Sequence, residues 1–298
     1  MSACAAGGYP DEDSSQSASG SSQAGADFPV DIGDTRISEA PKAVVSLTPA
    51  TTEMLFDMGY GGKVIGVSEH CDYPDKVEDK SRCGTALQPD FGTIAQRPVD
   101  LVVSAVPLVE SDLIRFQQAD IPVLVLERGA SLEEVRQNYL DLALAMDGAV
   151  AGAASGQEYW AGLQSLLDEA ESLGSAYLSQ HETPLRAILL RQMSYGMATG
   201  DTAEQELLEL LGLRNEAAEY ENWLYPQENV AALEPDVIFA AREIDPQEII
   251  GSVVYAPVAA AKNQMVMSVD MAVFERQSPR MFRTLLEMAE FAYGEQGA

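Results

Sequence analysis

Residues 41–59 read PKAVVSLTPATTEMLFDMG, a short apolar strand that runs directly into a helix. At the junction, Thr48 suits a helix N-cap and Pro49 suits the first helical position. Gly59 is a typical residue at which such a helix ends. A strand that leads into a capped helix predicts the opening of a βαβ unit, and hence an α/β fold with a parallel sheet.

The same alternation continues on both sides of one longer helical segment. Further strands are predicted at 63–67, 100–104, 121–126, 185–190, 236–240 and 264–269, and helices at 111–119, 131–148, 204–211 and 279–291. Between 150 and 180, apolar residues recur at intervals of three and four, the period of one helix face. We therefore predict an N-terminal α/β lobe over 28–149, a bridging helix over 150–181 and a C-terminal α/β lobe over 182–298.

The first 27 residues differ in composition from the rest of the chain. From Gly7 to Asp27 they are mainly Gly, Ser, Ala, Gln and acidic residues, which is typical of a disordered tether. Before this stretch, Cys4 follows small residues and resembles the end of a bacterial lipobox. We therefore expect lipidation of Cys4 and an extracytoplasmic lipoprotein anchored to the cell membrane.

The two remaining cysteines, Cys71 and Cys83, form an even pair that closes a short loop. In an oxidising compartment such a pair predicts a disulfide. The alternative is two unpaired, half-buried thiols, because a sequence does not show the geometry that a disulfide requires. A metal site is disfavoured, since Cys71 has only His70 beside it and no CxxC pair occurs.

The charge balance excludes several classes of partner. The chain has 47 acidic and 18 basic side chains, which gives a formal net charge of −29. Nucleic-acid binding needs basic side chains that neutralise phosphates, and adsorption to anionic lipid needs them too. No apolar run of about 18 residues occurs, so we expect membrane contact only through the lipid anchor. The excess of acid is expected to keep the protein soluble, and a monomer is expected.

The motifs of common enzyme classes are missing from the sequence. The two histidines, His70 and His181, lie far apart, and neither a G-x-S-x-G nor a P-loop motif occurs. The glycines at 59–62 imitate part of a dinucleotide-binding fingerprint, but they precede a strand and the third glycine is absent. We therefore predict that the chain is not an enzyme and that it holds no covalent cofactor and no metal.

A set of motifs in fixed order resembles one family, the solute-binding proteins that feed cobalamin, haem and iron-siderophore ABC importers. The motifs are the opening stretch, VIGVSEHCDYP at 64–74, DLV at 100–102, LEPDVI at 233–238 and the segment 269–280. The resemblance covers about residues 28–293. It implies two Rossmann-like lobes joined by one long α-helix, the class III periplasmic-binding-protein fold. It also implies an ABC permease and its ATPase as partners.

The resemblance implies a ligand in the cleft between the lobes, and the rule for open α/β sheets also places ligands beyond the carboxyl ends of strands. The candidate ligand-binding residues follow predicted strands or lie in unpatterned loops: Thr48, Thr51, His70, Asp72, Tyr73, Met193, Tyr195, Trp223, Tyr225, Arg242, Asp270 and Arg276. Helix capping is the alternative role of the threonines. Core packing is the alternative role of the aromatic residues, although planar macrocycles favour aromatic walls with a few polar groups.

The family docks on its permease through one acidic residue of each lobe. Glu228 falls on the position of the second lobe, with an ordinary surface acid as the alternative. The position of the first lobe falls on Gly92, which departs from the family pattern. We predict that Asp90, two residues earlier, takes its place.

The transported ligand is predicted to be a corrinoid or an iron chelate, in the order corrinoid, haem, ferric siderophore. The segments 71–74 and 274–280 are most similar to cobalamin-binding members, although a tryptophan typical of cobalamin sites is replaced near Ala86. Haem is second because Tyr73, Tyr195, His70 or Met193 could ligate iron. Two other functions are alternatives: a surface adhesion lipoprotein on the same scaffold, and a metal-chelate reductase.

Overall fold

Two parallel sheets lie on either side of one long helix in the computed structural model, which describes residues 27–193 and 195–294. Cys4 and nearly all of the predicted tether lie outside the described residues. The two sheets and the long helix confirm the predicted fold class. No helix within the described ranges is long and apolar enough to cross a membrane.

The first lobe is built on a five-stranded parallel sheet and a short hairpin. Its strands are β1 (Val30–Ile32), β2 (Thr35–Ile37), β3 (Val44–Ser46), β4 (Val64–Val67), β5 (Ser81–Arg82), β6 (Leu101–Ser104) and β7 (Val123–Val125). Its helices are α1 (Pro49–Asp57), α2 (Phe91–Ala95), α3 (Glu110–Gln118) and α4 (Leu132–Asp147). The strands β1 and β2 pair with each other, and the sheet order is β5-β4-β3-β6-β7.

Local sequence signals explain where these helices begin. Thr48 has the extended backbone of an N-cap and Pro49 opens α1, as predicted, but the Thr48 side chain makes no capping hydrogen bond. At α4, the Ser131 hydroxyl accepts a hydrogen bond from the Glu134 N–H. The Glu134 carboxylate in turn accepts one from the N–H of Ala130 at 2.7 Å. These paired bonds satisfy amides that the helix leaves without partners.

Helix α5 (Ala149–Leu178) has 30 residues and connects the lobes. Its buried face carries the apolar stripe Trp160, Leu163, Leu167 and Ala170. Near each end of α5, a glycine allows the helix to lie directly against backbone atoms of one lobe. A Cβ atom on Gly152 would lie 2.4 Å from the Ala143 carbonyl oxygen of α4, and one on Gly174 would lie 2.5 Å from the Leu211 carbonyl oxygen.

The second lobe repeats the parallel α/β plan with a second sheet. Its strands are β8 (Arg186–Gln192), β9 (Gly196–Met197), β10 (Arg214–Asn215), β11 (Val237–Ala241) and β12 (Val266–Val269). Its helices are α6 (Ala203–Leu210), α7 (Pro246–Gly251), α8 (Ala259–Lys262), α9 (Ala272–Arg276) and α10 (Pro279–Tyr293). The order is β10-β8-β11-β12, with β9 antiparallel to β8, and α10 packs along α5 and against α1.

The structure overturns the predicted disulfide, because Cys71 and Cys83 are both free thiols. The Cys71 sulfur lies 3.1 Å from the Thr52 hydroxyl, in the large core that continues into α5 and the second lobe. Cys83 belongs to a separate core cluster, together with Val45 and Val102. The residues next to these two valines in their strands, Val44 and Leu101, belong instead to the cluster that contains Cys71. Since successive strand residues face opposite sides of a sheet, these two cores lie on opposite faces. Burial raises the pKa of both thiols.

Candidate functional site

The loops that follow the parallel strands of both sheets meet in a cleft between the lobes. A cavity of about 170 Å³ lies there. It is lined by residues of both lobes, among them Ala50, Ala105, Arg128, Tyr139, Glu275 and Arg276. Such a position, outside the carboxyl ends of parallel strands, is where open α/β sheets bind ligands.

A buried carboxylate of the first lobe holds two arginines of the second lobe beside this cavity. Glu53, on α1, is 1 % exposed. Its Oε1 accepts hydrogen bonds from Arg276 at 2.6 Å and from Arg280 at 3.3 Å. The other carboxylate oxygen, Oε2, has no hydrogen-bond partner among the described residues. The lobes are therefore joined through a desolvated ion cluster.

The same arginines extend the cluster to the edge of the cleft. Arg276 also donates to Asp72 at 2.9 Å, and Arg280 donates to Asp270 at 2.8 Å. Asp270 accepts a further bond from Arg242 at 3.0 Å. Burial opposes ionisation of Asp72, but the hydrogen bond and charge of Arg276 outweigh it and lower the pKa of this carboxyl group. We refer to Glu53, Asp72, Asp270, Arg242, Arg276 and Arg280 as the ion network.

A second inter-lobe ion pair lies one helical turn further along α1. Asp57 accepts two hydrogen bonds from Arg283 of α10, at 2.8 and 2.9 Å. The hydroxyl of Tyr159, on α5, also donates to Asp57. The residues 53 and 57 of α1 thus face arginines of α10, as expected for positions four apart on one helix face.

Two aromatic rings, one from each lobe, lie under arginine side chains. The Arg280 guanidinium is 4.5 Å from the centre of the Tyr73 ring, which is 39 % exposed. In the second lobe, the Arg191 guanidinium is 5.1 Å from the Trp223 ring. Trp223 has a left-handed backbone with a φ of 62°, which its N–H bond to the Thr199 hydroxyl at 3.0 Å helps to hold. A non-glycine residue held in this way is frequent at functional sites.

A further group of charges surrounds Arg191. Arg191 lies 3.8 Å from Glu275, the residue before Arg276. Burial raises the pKa of Glu204, at the start of α6, and the nearby charges of Arg128 and Arg191 reduce this shift. Because Arg128 belongs to the first lobe, this interaction also crosses the cleft.

The structure brings most of the predicted ligand-binding residues to the cleft loops. His70, Asp72 and Tyr73 are exposed in the loop after β4, and Met193 and Tyr195 follow β8. Arg242, Asp270 and Arg276 belong to the ion network. Trp223 is half-buried, and its carbonyl oxygen accepts a bond from the Met197 N–H at 3.2 Å. Ligand contact by these residues stays a prediction.

Three of the predicted ligand-binding residues, Thr48, Thr51 and Tyr225, have buried side chains, and their contact with a ligand stays a prediction. Thr51 is fully buried, and Thr48 is 9 % exposed. Their hydroxyls bond to each other at 2.8 Å, and Thr48 accepts a bond from the Ala105 N–H at 3.0 Å. Tyr225 is 8 % exposed and packs edge-on against Tyr220 at 4.6 Å, so it supports the Trp223 loop from beneath.

Sequence reasoning missed several residues of the cleft. They are Glu53, Arg128, Arg191, Gln277 and Arg280. Glu53 was visible as an acidic residue within an apolar helix, which is a signal for a buried ion pair. Its partners lie more than 220 positions away, so no local pattern could identify them.

The two predicted docking residues are both exposed, but in different settings. Asp90 is the N-cap of α2, and its carboxylate accepts bonds from the Thr93 N–H at 3.1 Å and hydroxyl at 2.6 Å. The hydroxyl bond to Thr93 is the chief cause that lowers the pKa of Asp90. Glu228 lies in the first turn of the short helix Gln227–Ala232. The described residues include no group of three or more side chains suited to hold a metal ion.

Two sheets, one connecting helix and an inter-lobe cleft form the architecture that the sequence resemblance implied for a solute-binding protein. The chain belongs to the periplasmic binding protein family, whose model matches residues 44–272. Members of this family are extracytoplasmic substrate-binding transport proteins and not enzymes, which confirms the predicted class.

Individual relatives agree with this assignment. The chain is 25 % identical over 276 residues to an uncharacterised ABC transporter substrate-binding lipoprotein of Bacillus subtilis, covering 89 % of this chain and 86 % of the relative. It is 23 % identical over 270 residues to a vitamin B12-binding protein of Vibrio campbellii, covering 88 % and 94 %. Its fold matches the apo periplasmic haem-binding protein of Roseiflexus, with a TM-score of 0.66, 20 % identity and coverage of 85 % and 98 %.

Proposed function

We propose that this protein is a lipid-anchored binding protein that captures a metal chelate in the inter-lobe cleft and delivers it to an ABC permease. A corrinoid is the first candidate cargo, followed by haem and a ferric siderophore. Cys4 would carry the lipid. The name of the Vibrio relative supports the corrinoid, and that of the Roseiflexus neighbour supports haem as the second candidate.

The observation that carries the proposal is the pair of arginine-backed rings, Tyr73 and Trp223, one on each lobe. A flat chelate offers large apolar faces, and aromatic side chains are the groups that bury such faces. Arginines behind the rings add donors for amide or carboxylate groups at the edge of a chelate. The combination of aromatic walls with a few placed polar groups suits such a ligand.

The size of the cleft bears on where the cargo would lie. Pockets for small molecules usually measure about 300–1,000 Å³, whereas the cavity between the lobes measures about 170 Å³. A bulky chelate would therefore rest against the cleft loops, with only an edge inside the cavity, or the lobes would separate to admit it. Either arrangement brings the cargo to Arg276, which lines the cavity.

Delivery requires a surface of this protein that docks on the permease. We propose that Glu228 docks the second lobe and Asp90 the first. Glu228 is exposed in the first turn of the short helix Gln227–Ala232. A carboxylate in this state is available to an arginine of a partner protein, and such pairs are strong when the interface excludes water.

Titration with candidate cargoes tests the proposed function. Purified protein is mixed with cyanocobalamin, hemin and a ferric catecholate, and binding is followed by absorbance and by calorimetry. We expect stoichiometric binding of one cyanocobalamin. Tyr73→Ala and Trp223→Ala should each weaken it by about 1–2 kcal/mol, roughly 5- to 30-fold, because each removes one aromatic wall.

The matched control is Tyr177→Ala, which removes a half-buried ring that stacks on His181 at the far end of α5. This variant should bind like the unmodified protein. Tighter binding of hemin or the catecholate would reverse the order of cargo. Binding of none of the three would reject a chelate carrier and favour the adhesion alternative.

A further inference from the structure

Gln277 ends α9 in a left-handed conformation, with a φ of 49°. Glycine is the usual residue at this position of a helix end, because side chains are strained there. A strained residue persists only when its surroundings hold it, and such residues cluster at functional sites. The contacts of Gln277 explain why a glutamine occupies this position.

The side-chain amide of Gln277 pairs with the backbone of Gly129, in the loop after β7. The Gly129 N–H donates to Oε1 of Gln277 at 2.9 Å, and Nε2 of Gln277 donates to the Gly129 carbonyl at 2.8 Å. In addition, the Tyr139 hydroxyl donates to the backbone carbonyl of Gln277 at 2.9 Å. All three hydrogen bonds connect the two lobes: the first lobe donates two of them and the second lobe donates one.

The position of these bonds links them to the ion network. Gln277 follows Arg276 directly, and both residues line the cavity. The chain turns at Gln277 from α9 into α10, so the conformation of this residue directs the end of α9 towards the first lobe. There Arg276 meets Glu53 and Asp72.

We propose that Gln277 is a positioning residue that sets the spacing of the two lobes and thereby fixes Arg276 in the cleft. Ion pairs with long side chains tolerate several geometries, and salt screens their exposed members. Two parallel amide–peptide hydrogen bonds have one geometry and carry no net charge. The Gln277–Gly129 pair therefore defines the spacing at any salt concentration, and the ion network adapts to it.

Distance measurements on the protein without cargo test the proposal. Spin labels are placed on the exposed positions Gln117→Cys and Glu248→Cys, one in each lobe, in a Cys4→Ser background. We expect Gln277→Gly to shift the distance distribution to longer and broader values, because this change removes the amide while it relieves the strained backbone. The shift should persist in 1 M salt, at which the Debye length is about 3 Å.

A matched control is present in the same lobe. Gln264 is another glutamine with a left-handed backbone, at a φ of 57°, and it is exposed in the loop before β12, whereas Gln277 is half-buried. Gln264→Gly makes the same chemical change away from the Gly129 loop and should leave the distances unchanged. A distribution for Gln277→Gly that superimposes on that of the unmodified protein would overturn the proposal.

A second variant covers the case in which Gln277→Gly does not fold. Gln277→Glu keeps the size and the acceptor for the Gly129 N–H, but it sets a carboxylate against the Gly129 carbonyl. It should also lengthen the distances, and unchanged distances would equally overturn the proposal. The melting temperature of each variant, followed by circular dichroism, shows whether it folds.

A second measurement connects the spacing to cargo and rests on the proposed function. Dissociation of cyanocobalamin should be about tenfold faster from Gln277→Gly than from Gln264→Gly. Equal rates would contradict the role of Gln277 in holding Arg276. Failure of the unmodified protein to bind cyanocobalamin would refute the first-choice cargo, whereas the distance measurement would still decide the role of Gln277.

Discussion

The two walls of the cleft have the same βα plan but meet through side chains of opposite charge. The first lobe presents carboxylates of α1 and of the loop after β4, namely Glu53, Asp57 and Asp72. The second lobe faces them with the arginines Arg276, Arg280 and Arg283. In a chain of net charge −29, 3 of the 18 basic residues therefore meet the first lobe at this interface.

This difference shows that neither wall is complete alone. The arginines of the second lobe would repel one another without the carboxylates opposite, and Glu53 would be a buried charge without a counter-ion. Each wall also carries some of the other charge, since Asp270 of the second lobe binds Arg280 and Arg128 carries a positive charge from the first lobe towards Glu204. Substitutions in the two walls and at the outer edges of the lobes test how far the complementarity of the walls determines stability and function.

The largest effect is expected at Glu53. Glu53→Ala should lower the free energy of unfolding by about 3–5 kcal/mol, because it leaves two largely buried arginines without their shared partner. Denaturant unfolding at about pH 7 measures the loss.

Asp236→Ala is the control for Glu53→Ala. Asp236 binds Arg186 at 3.0 Å within the second lobe, but its side chain is 30 % exposed. Solvent screens this pair, and we expect a loss of about 1–2 kcal/mol. A smaller loss for Glu53→Ala than for Asp236→Ala would mean that the inter-lobe charges contribute little.

The next effect concerns the outer edges of the lobes. Glu228→Ala should weaken docking on the permease by about 2–5 kcal/mol while cargo affinity and stability stay unchanged. Asp90→Ala should weaken docking less, because the Asp90 carboxylate is already bound to Thr93. It should also lower stability slightly through loss of the cap of α2. Binding of cargo-loaded variants to detergent-solubilised permease compares the two. Equal docking by all three proteins would remove both residues from the docking surface.

The smallest effect is expected at the exposed end of the ion network. The Asp72 side chain is 55 % exposed, so its pair with Arg276 should contribute no more than about 1 kcal/mol. Because folding lowers the pKa of Asp72, this contribution is full above the ordinary pKa of about 3.9 and is lost as pH falls through the lower folded value. Asp72→Asn should therefore reduce stability at neutral pH and match the unmodified protein in strong acid. A difference that grows on acidification would refute this assignment.

The sequence predicted the elements whose signals are local. The strand and helix at 41–59 appear as β3 and α1, and the apolar stripe at 150–180 appears as α5. The short elements, such as the β1–β2 hairpin, β9, β10 and α7–α9, were not predicted. They contain only two to six residues, which is too few for a periodic pattern to emerge.

The candidate site could be predicted only in part, for a different reason. Its loops follow strands, so the positions of Asp72, Tyr73 and Asp270 were accessible from the order of elements. The burial of Thr51 and the separation of Cys71 from Cys83 depend on which face of an element packs against the core. The pairing of Glu53 with Arg276 spans 223 positions, and it arises only when both lobes close on α5.

The glycines of α5 have a mechanical consequence for the way the cleft opens. Gly152 and Gly174 bring the helix into contact with backbone atoms of each lobe, so both of its ends are clamped. From Gly152 to Gly174 the helix advances by 22 residue rises, a rod of about 33 Å at 1.5 Å per rise, whose apolar stripe packs in the core. Wider opening of the cleft must then flex this rod, as loading bends a beam fixed at both ends. A bent α5 tends to straighten again, and this tendency returns the lobes to their resting separation. The cleft should therefore open only by small movements about one closed arrangement.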